Sequence, residues 1–338
     1  MDNAVGQKKI NTLAQKEALI NECKGNLFEY LVGHELARHF AIEPLFILSL
    51  GPKTRQRLAH YENFLRPLGP QLVKALPLWA KKAAQELIVH LPQKITGILV
   101  VGKLGKEIQR EWKEADLLLE NEELKFPISL KLGKEQSYVN TKSAGIRSFL
   151  KKYFAVFVDA PVKQNEIDRL VGQTFHQMGH ELYALAELGP FNGHFGREWE
   201  ESGYSHLPGE LPPEMKKIVC NYYAQIVGRI YQVLREWFDT DRARFISCLY
   251  PMLGAGRSEV MQLTCFYQKK DYQLSSLRFA DANLWAEQLG PLQFGEIKSG
   301  IASFPLIMKN CELQIRMKPM NVFTVPALKV NCSIKKSD

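Results

Sequence analysis

An aspartate and a lysine flank a short polar turn and are the residues best placed to do chemistry. Asp116 precedes the apolar run Leu117-Leu118-Leu119, and Lys131 lies in the run FPISLKL; Asn121-Glu122-Glu123 separates the two. Two short apolar runs around such a cluster predict a β-hairpin. A turn centred on Glu122-Glu123 sets Asp116 opposite Ser129, with Lys131 as its diagonal neighbour on the same face. Opposite residues in such a ladder lie about 5 Å apart and diagonal ones roughly 7–8 Å. Ile128, Leu130 and Leu132 then point to the other face and anchor the strand in a core. A carboxylate and an ammonium held this way suit phosphodiester hydrolysis. The carboxylate binds Mg²⁺, which polarises a phosphoryl oxygen and acidifies a bound water. The lysine orients that water or stabilises charge in the transition state. A further carboxylate ordinarily completes such a metal site.

Other residues are weighed around this pair. Glu29 and Glu35 both lie in the amphipathic stretch Lys24–Phe40. They are six apart, so about 240° separates them on a helix and both cannot face one metal. Between residues 131 and 152 stand Lys131, Lys134, Lys142, Arg147, Lys151 and Lys152 against the single acid Glu135. Cations in that number beside a metal pocket are what a phosphate backbone requires. Arg316 and Lys318 alternate with Ile315 and Met317, which puts both cations on one strand face toward DNA phosphates or a guanine edge. His176 and His180 have the i, i+4 spacing of a helical metal pair, but the H-E-x-x-H order is absent and no third ligand follows at motif spacing. The segments GPKT at 51–54 and GAGRS at 254–258 lack the context of a nucleotide-binding lysine loop.

The order of these features resembles one superfamily. G-x-x-FE at Gly25 to Glu29, then AD-LLL at Asp116, then ISLKLG with Ser129-x-Lys131, then Asn140 to Phe154 resembles the PD-(D/E)xK nucleases, in particular type II restriction endonucleases. The resemblance spans residues 24–154. It implies a restriction-endonuclease-like α/β core, a central mixed sheet flanked by helices. It also implies a Mg²⁺-dependent endonuclease acting on double-stranded DNA, active as a homodimer. Asp116 matches the metal-binding aspartate, with Ala115 where the signature has proline. Lys131 matches the catalytic lysine, and Glu29 the acid that the first helix directs at the metal. Ser129 stands where the signature has Asp or Glu. A hydroxyl is a poor Mg²⁺ ligand beside a carboxylate, so an acid from elsewhere is needed: Glu29, Glu107, Glu114 or Glu135. The expected site is therefore Asp116, Ser129, Lys131 and Glu29 as the catalytic group, and Asp116, Glu29 and Glu135 as metal ligands. Lys134, Asn140, Lys142, Ser143, Arg147, Arg316 and Lys318 are the expected DNA contacts. Two other readings remain: a repair or phage-defence nuclease of the same fold, and a DNA-binding protein with a degenerate core.

The elements that must position these residues read as follows. Lys24–Phe40 is helical. Pro44, Pro52, Pro67 and Pro70 break residues 43–70 into short pieces, and Gln71–His90 is helix interrupted at Pro77. Ile95–Val101 is a buried strand, and Ser143–Phe154 a helix with a basic face. The long helix Pro212–Phe238 carries the stripe Met215, Ile218, Tyr222, Ile226, Ile230, Val233 and Trp237. VMQLTCFY, LQIRMKP and ALKVNCSIKK read as strands. A boundary near residue 165 divides a catalytic core (1–165) from a partly β region for DNA recognition and dimerisation (166–338).

Composition sets the outer limits. The 338 residues are 46% hydrophobic and 24% charged, which excludes global disorder. A net charge of +8 favours polyanionic partners. Six scattered cysteines without a C-x-x-C pair fit free thiols in a reducing compartment. The N-terminus lacks an apolar signal core and no run of eighteen apolar residues exists, so a cytoplasmic protein is expected.

Overall fold

The computed structural model describes residues 13–101, 115–255, 260–298 and 300–336. The chain begins with four helices: α1 (Leu13–His39), α2 (Glu43–Ser49), α3 (Pro52–Leu68) and α4 (Pro70–Ile88). Strands β1 (Gly97–Val100), β2 (Leu117–Glu120), β3 (Lys125–Lys134) and β4 (Val139–Gly145) follow. Then come helices α5 (Phe149–Tyr153), α6 (Ala160–Leu185), α7 (Arg197–Glu201), α8 (Pro213–Thr240) and α9 (Arg242–Leu253). The last part holds β5 (Met261–Tyr267), β6 (Leu274–Ala280), α10 (Ala282–Leu289), β7 (Gln293–Phe294), β8 (Ser303–Ile307), β9 (Cys311–Pro319) and β10 (Leu328–Lys336). The fold is mixed α/β. No described helix is long and apolar enough to cross a membrane.

Two compact units form, each from two chain segments: residues 1–135 with 258–282, and residues 136–257 with 283–338. This differs from one cut near residue 165. β5 and β6 come late in the chain but complete the sheet of the first unit, in the order β1-β2-β3-β5-β6. β3 and β5 pair in parallel while the other pairs of that sheet are antiparallel. In the second unit β4 belongs to the sheet β4-β10-β9-β8-β7, which is antiparallel throughout.

In the first unit α1 and α4 cover one face of the sheet. Leu117, Leu119, Ile128, Leu130, Leu263 and Cys265 point into that face and share a core with Phe28, Val32, Leu36, Leu76 and Leu87. α1 lies close enough that a Cβ on Gly33 would sit 3.1 Å from Leu117 Cδ2 and from the Phe46 ring, so even alanine there would require those side chains to give by a few tenths of an ångström. α4 pins the β5–β6 hairpin: Trp79 stacks on Tyr267 at 4.6 Å and its indole N–H donates to the Tyr272 carbonyl at 2.9 Å.

The prolines open helices rather than break the region into fragments. Pro52 and Pro70 occupy first-turn positions, where a missing N–H costs no hydrogen bond. Pro77 lies inside α4 without ending it. It is exposed, so its ring faces solvent and not the packed side of the helix. The largest departure concerns Ser143–Phe154. Val139–Gly145 form strand β4, a 3₁₀ turn spans Ile146–Ser148, and helix is confined to α5. Pairing with β10 along Val330↔Ala144 and Asn331↔Ser143 supplies the backbone partners that override the helical pattern.

Candidate active site at the β2–β3 hairpin

The turn itself is fixed by local chemistry. The Asn121 side-chain oxygen accepts from the backbone N–H groups of Glu123 (3.0 Å) and Leu124 (2.7 Å), and the Asn121 N–H donates to the Leu124 carbonyl (3.0 Å). Lys94 pairs with Glu122 across the outside at 2.7 Å. The ladder then runs Glu120↔Lys125 to Leu117↔Ile128, and the Asp116 N–H donates to the Ile128 carbonyl at 2.8 Å. That is the register the turn arithmetic gives, and its next rung sets Asp116 beside Ser129.

Three donors converge on one oxygen of Asp116. The Leu130 N–H donates to Oδ2 at 2.7 Å, Ser129 Oγ donates to it at 3.3 Å, and Lys131 Nζ at 3.3 Å. Lys131 Nζ also donates to the Leu130 carbonyl at 3.2 Å. Ser129 is fully buried, whereas the side chains of Asp116 and Lys131 are 19% and 20% exposed. The charged pair is thus seated on a buried hydroxyl and a backbone amide, with one side open to water. The apolar residues of β3 that alternate with this pair fill the helix-covered core, which stiffens the strand beneath it.

Two polar residues on β5 complete the face and were not singled out from sequence. The parallel ladder sets Gln262 beside Ser129 and Thr264 beside Lys131, and both are buried. β6 then places Arg278 beside Thr264. The signal in the sequence is the alternation of Gln262 and Thr264 with Leu263 and Cys265; that β5 adjoins β3 is long-range pairing that no local pattern announces.

The expected metal ligands are not gathered. Glu135 extends beyond β3, six residues past Ser129 and so about 20 Å along the strand direction; it is exposed and does not share a metal with Asp116. Glu29 is half-buried on α1, one turn before Gly33, and α1 packs on the Leu117 face of the sheet. Asp116 and Lys131 stand on the opposite face, so the Glu29 carboxylate starts from the other side of the sheet. Glu107 and Glu114 lie outside the described residues. Among the described residues no three His, Cys, Asp or Glu side chains form a metal-holding group. Asp116 alone still fits Mg²⁺, which keeps most of its waters and takes one or two carboxylates plus substrate oxygens. Among the described residues, the three hydrogen bonds to the Asp116 carboxylate all use Oδ2. His176 and His180 are exposed on α6, with their rings edge-on to Phe191.

The expected DNA contacts divide between the units. Lys134 lies on the helix-covered face of β3, not beside Lys131. Asn140, Ser143, Arg316 and Lys318 share one face of the second sheet. Its rungs run Ser143–Asn331–Arg316–Ser303 and Gly145–Lys329–Lys318, with Ser143 Oγ bonded to Asn331 Oδ1 at 2.8 Å. The other face carries Leu313, Ile315, Met317, Val330 and Cys332 into the core. Lys142 is set opposite Cys332, next to a bulge, and so is off the polar face. Arg147 is exposed on the 3₁₀ turn, with Lys151 and Lys152 exposed on α5. Burial lowers the Lys318 pKa, and the neighbouring charges of Arg316 and Lys329 lower it further. Three cations crowded on one sheet face attract an anion.

The chain matches no family model, no curated protein and no solved structure.

Proposed function

We propose that the chain is a Mg²⁺-dependent endonuclease of the PD-(D/E)xK type that hydrolyses phosphodiester bonds in double-stranded DNA, in the manner of a type II restriction enzyme and as a homodimer. The observation that carries this reading is the Asp116–Lys131 pair. Carboxylate and ammonium lie 3.3 Å apart on one face of adjacent strands, partly open to water, and are backed by the Leu130 amide and the buried Ser129 hydroxyl. Asp116 is the residue to hold the metal, and Mg²⁺ when bound supplies charge for the phosphoryl oxygens and a more acidic water. Ser129 and the Leu130 N–H orient the Asp116 carboxylate by occupying one of its oxygens. Lys131 keeps an ammonium beside that carboxylate, where it can hold a water in line or meet charge developing on phosphate. The cationic sheet face of Arg316, Lys318 and Lys329 supports binding to a polyanion.

A second reading rests on Ser129. With a hydroxyl in the acidic position and no group of three metal-ligating side chains among the described residues, the core also suits a protein that binds DNA without cutting it. Incubation of supercoiled plasmid with and without Mg²⁺ separates the two. The nuclease reading expects nicked or linear product that needs Mg²⁺ and is lost in Asp116→Ala. Binding to DNA with no cleavage at any Mg²⁺ concentration supports the second reading. Absence of both binding and cleavage removes both. Discrete fragments mark a restriction enzyme, and random ones a repair or defence nuclease.

A further inference from the structure

The first unit holds a second cluster of cations, on the helix-covered side of its sheet and independent of the hairpin pair. A cleft of about 170 Å³ is lined by α1, the ends of α3 and β3, and the turn after β5. Its floor is Lys24, only 4% exposed, whose Nζ donates to Asn21 Oδ1 and to Tyr267 Oη, each at 2.9 Å. Both acceptors are neutral. Nζ also lies 5.1 Å from the centre of the Tyr267 ring. Lys134 and Lys269 line the same cleft, and Glu17 is the one carboxylate in its lining.

Burying an ammonium without a carboxylate on it costs several kcal/mol, and placing a second ammonium nearby adds to that cost. The Lys24 pKa reflects both effects. Burial lowers it first and Lys134 second, to about 8. A structure that retains three lysines around one small space is relieved when an anion joins them. Lysine ammoniums act as point charges with freely turning donors, which suits the tetrahedral oxygens of a phosphate more than a planar group. The space is below the ~300 Å³ at which small-molecule sites ordinarily begin, so it takes a phosphate and a few attached atoms and not a whole nucleotide.

We propose that this cleft binds a phosphate group through Lys24, Lys134 and Lys269, with the Tyr267 hydroxyl as a further donor or acceptor. The phosphate belongs either to a small phosphomonoester or to a nucleic-acid end. The proposal does not rest on the nuclease reading, because its residues face away from Asp116.

Calorimetric titration of the full chain uses three ligands: inorganic phosphate, a 5′-phosphorylated oligonucleotide, and the same oligonucleotide with a 5′-hydroxyl. Wild type is expected to bind inorganic phosphate, and Lys24→Met to weaken that binding about tenfold or more, the usual effect of losing a hydrogen bond to a charged group. Lys269→Gln, at an exposed position, is expected to weaken it as well and decides the matter where Lys24→Met fails to fold. A 5′-phosphate preference that Lys24→Met erases assigns the site to nucleic-acid ends; equal binding of the two oligonucleotides assigns it to small phosphomonoesters. The proposal is overturned where wild type neither binds inorganic phosphate nor prefers the 5′-phosphorylated oligonucleotide. Equal binding by wild type and the folded variants overturns it too.

Discussion

Replacing Ser129 by aspartate writes the missing carboxylate back into the hairpin and tests whether this position faces a metal. Ser129 is fully buried and its Oγ lies 3.3 Å from Asp116 Oδ2. A carboxylate on the same Cβ brings two negative charges to about 4 Å, a repulsion of about 4 kcal/mol at an effective dielectric constant of about 20. The hydrogen bond from the hydroxyl is lost as well. In chelator at pH 8, Ser129→Asp should therefore melt roughly 8 °C or more below wild type, at about 2–4 °C per kcal/mol for a chain segment of this size. Lysine at 131 offsets part of this through its own charge. One carboxyl of the pair has its pKa raised by the other, so the penalty exists where both are ionised and fades as pH falls and one takes a proton. The deficit should accordingly shrink at pH 5. A divalent cation between the carboxylates removes the repulsion: 10 mM Mg²⁺ against a Kd of about 0.1 mM returns about 2.7 kcal/mol. Melting curves with and without Mg²⁺ should show a larger Mg²⁺ gain in Ser129→Asp than in wild type. An unchanged melting temperature in chelator, together with no Mg²⁺ response, would refute the reasoning.

Two further outcomes are expected. DNA affinity should fall steeply between 50 and 200 mM salt, because lysines and arginines displace counterions from phosphates; Arg316→Ala should reduce the salt slope by about one unit, and a flat salt dependence would point away from DNA. Stability should also carry the signature of Lys24, whose pKa drops from 10.5 in the unfolded chain to about 8 in the fold. Between those values the unfolded state holds more protons, so stability rises with pH, by about 3 kcal/mol in all. Lys24→Met should flatten that rise in denaturant titrations at pH 8 and pH 10, and an identical pH dependence in the two proteins would show that Lys24 is not buried as an ammonium.

The hairpin was legible because every signal for it is local. Apolar runs of strand length, an asparagine that satisfies the turn, and side-chain alternation set the register, and with it the meeting of Asp116, Ser129 and Lys131. Residues that reach the site from distant segments were not legible. Gln262 and Thr264 join it through the β3–β5 pairing, and Glu135 leaves it because β3 runs on to Lys134, five residues past Ser129, before Glu135 follows. Glu29 has the right spacing on the right helix, yet sequence alone does not say which face of the sheet that helix covers. Ser143–Phe154 shows tertiary pairing overruling a local pattern: its helical spacing is real, but the first half finds its partners on β10. Prolines misled in the opposite sense, since Pro52 and Pro70 favour helix starts as much as they break helices.

Lys131 carries the central claim, and its removal tests that claim most directly. Its share of any attraction to DNA is small, because one partly buried lysine is a minor part of the total cationic surface. Its value lies in the transition state, where charge builds on phosphoryl oxygens and a water must be held in line. Single-turnover plasmid cleavage at saturating Mg²⁺ should slow by about 10²–10³ in Lys131→Ala, with DNA affinity within about twofold of wild type and no rescue by added Mg²⁺. Cleavage by Lys131→Ala at the wild-type rate would contradict the account and leave the hairpin as scaffold.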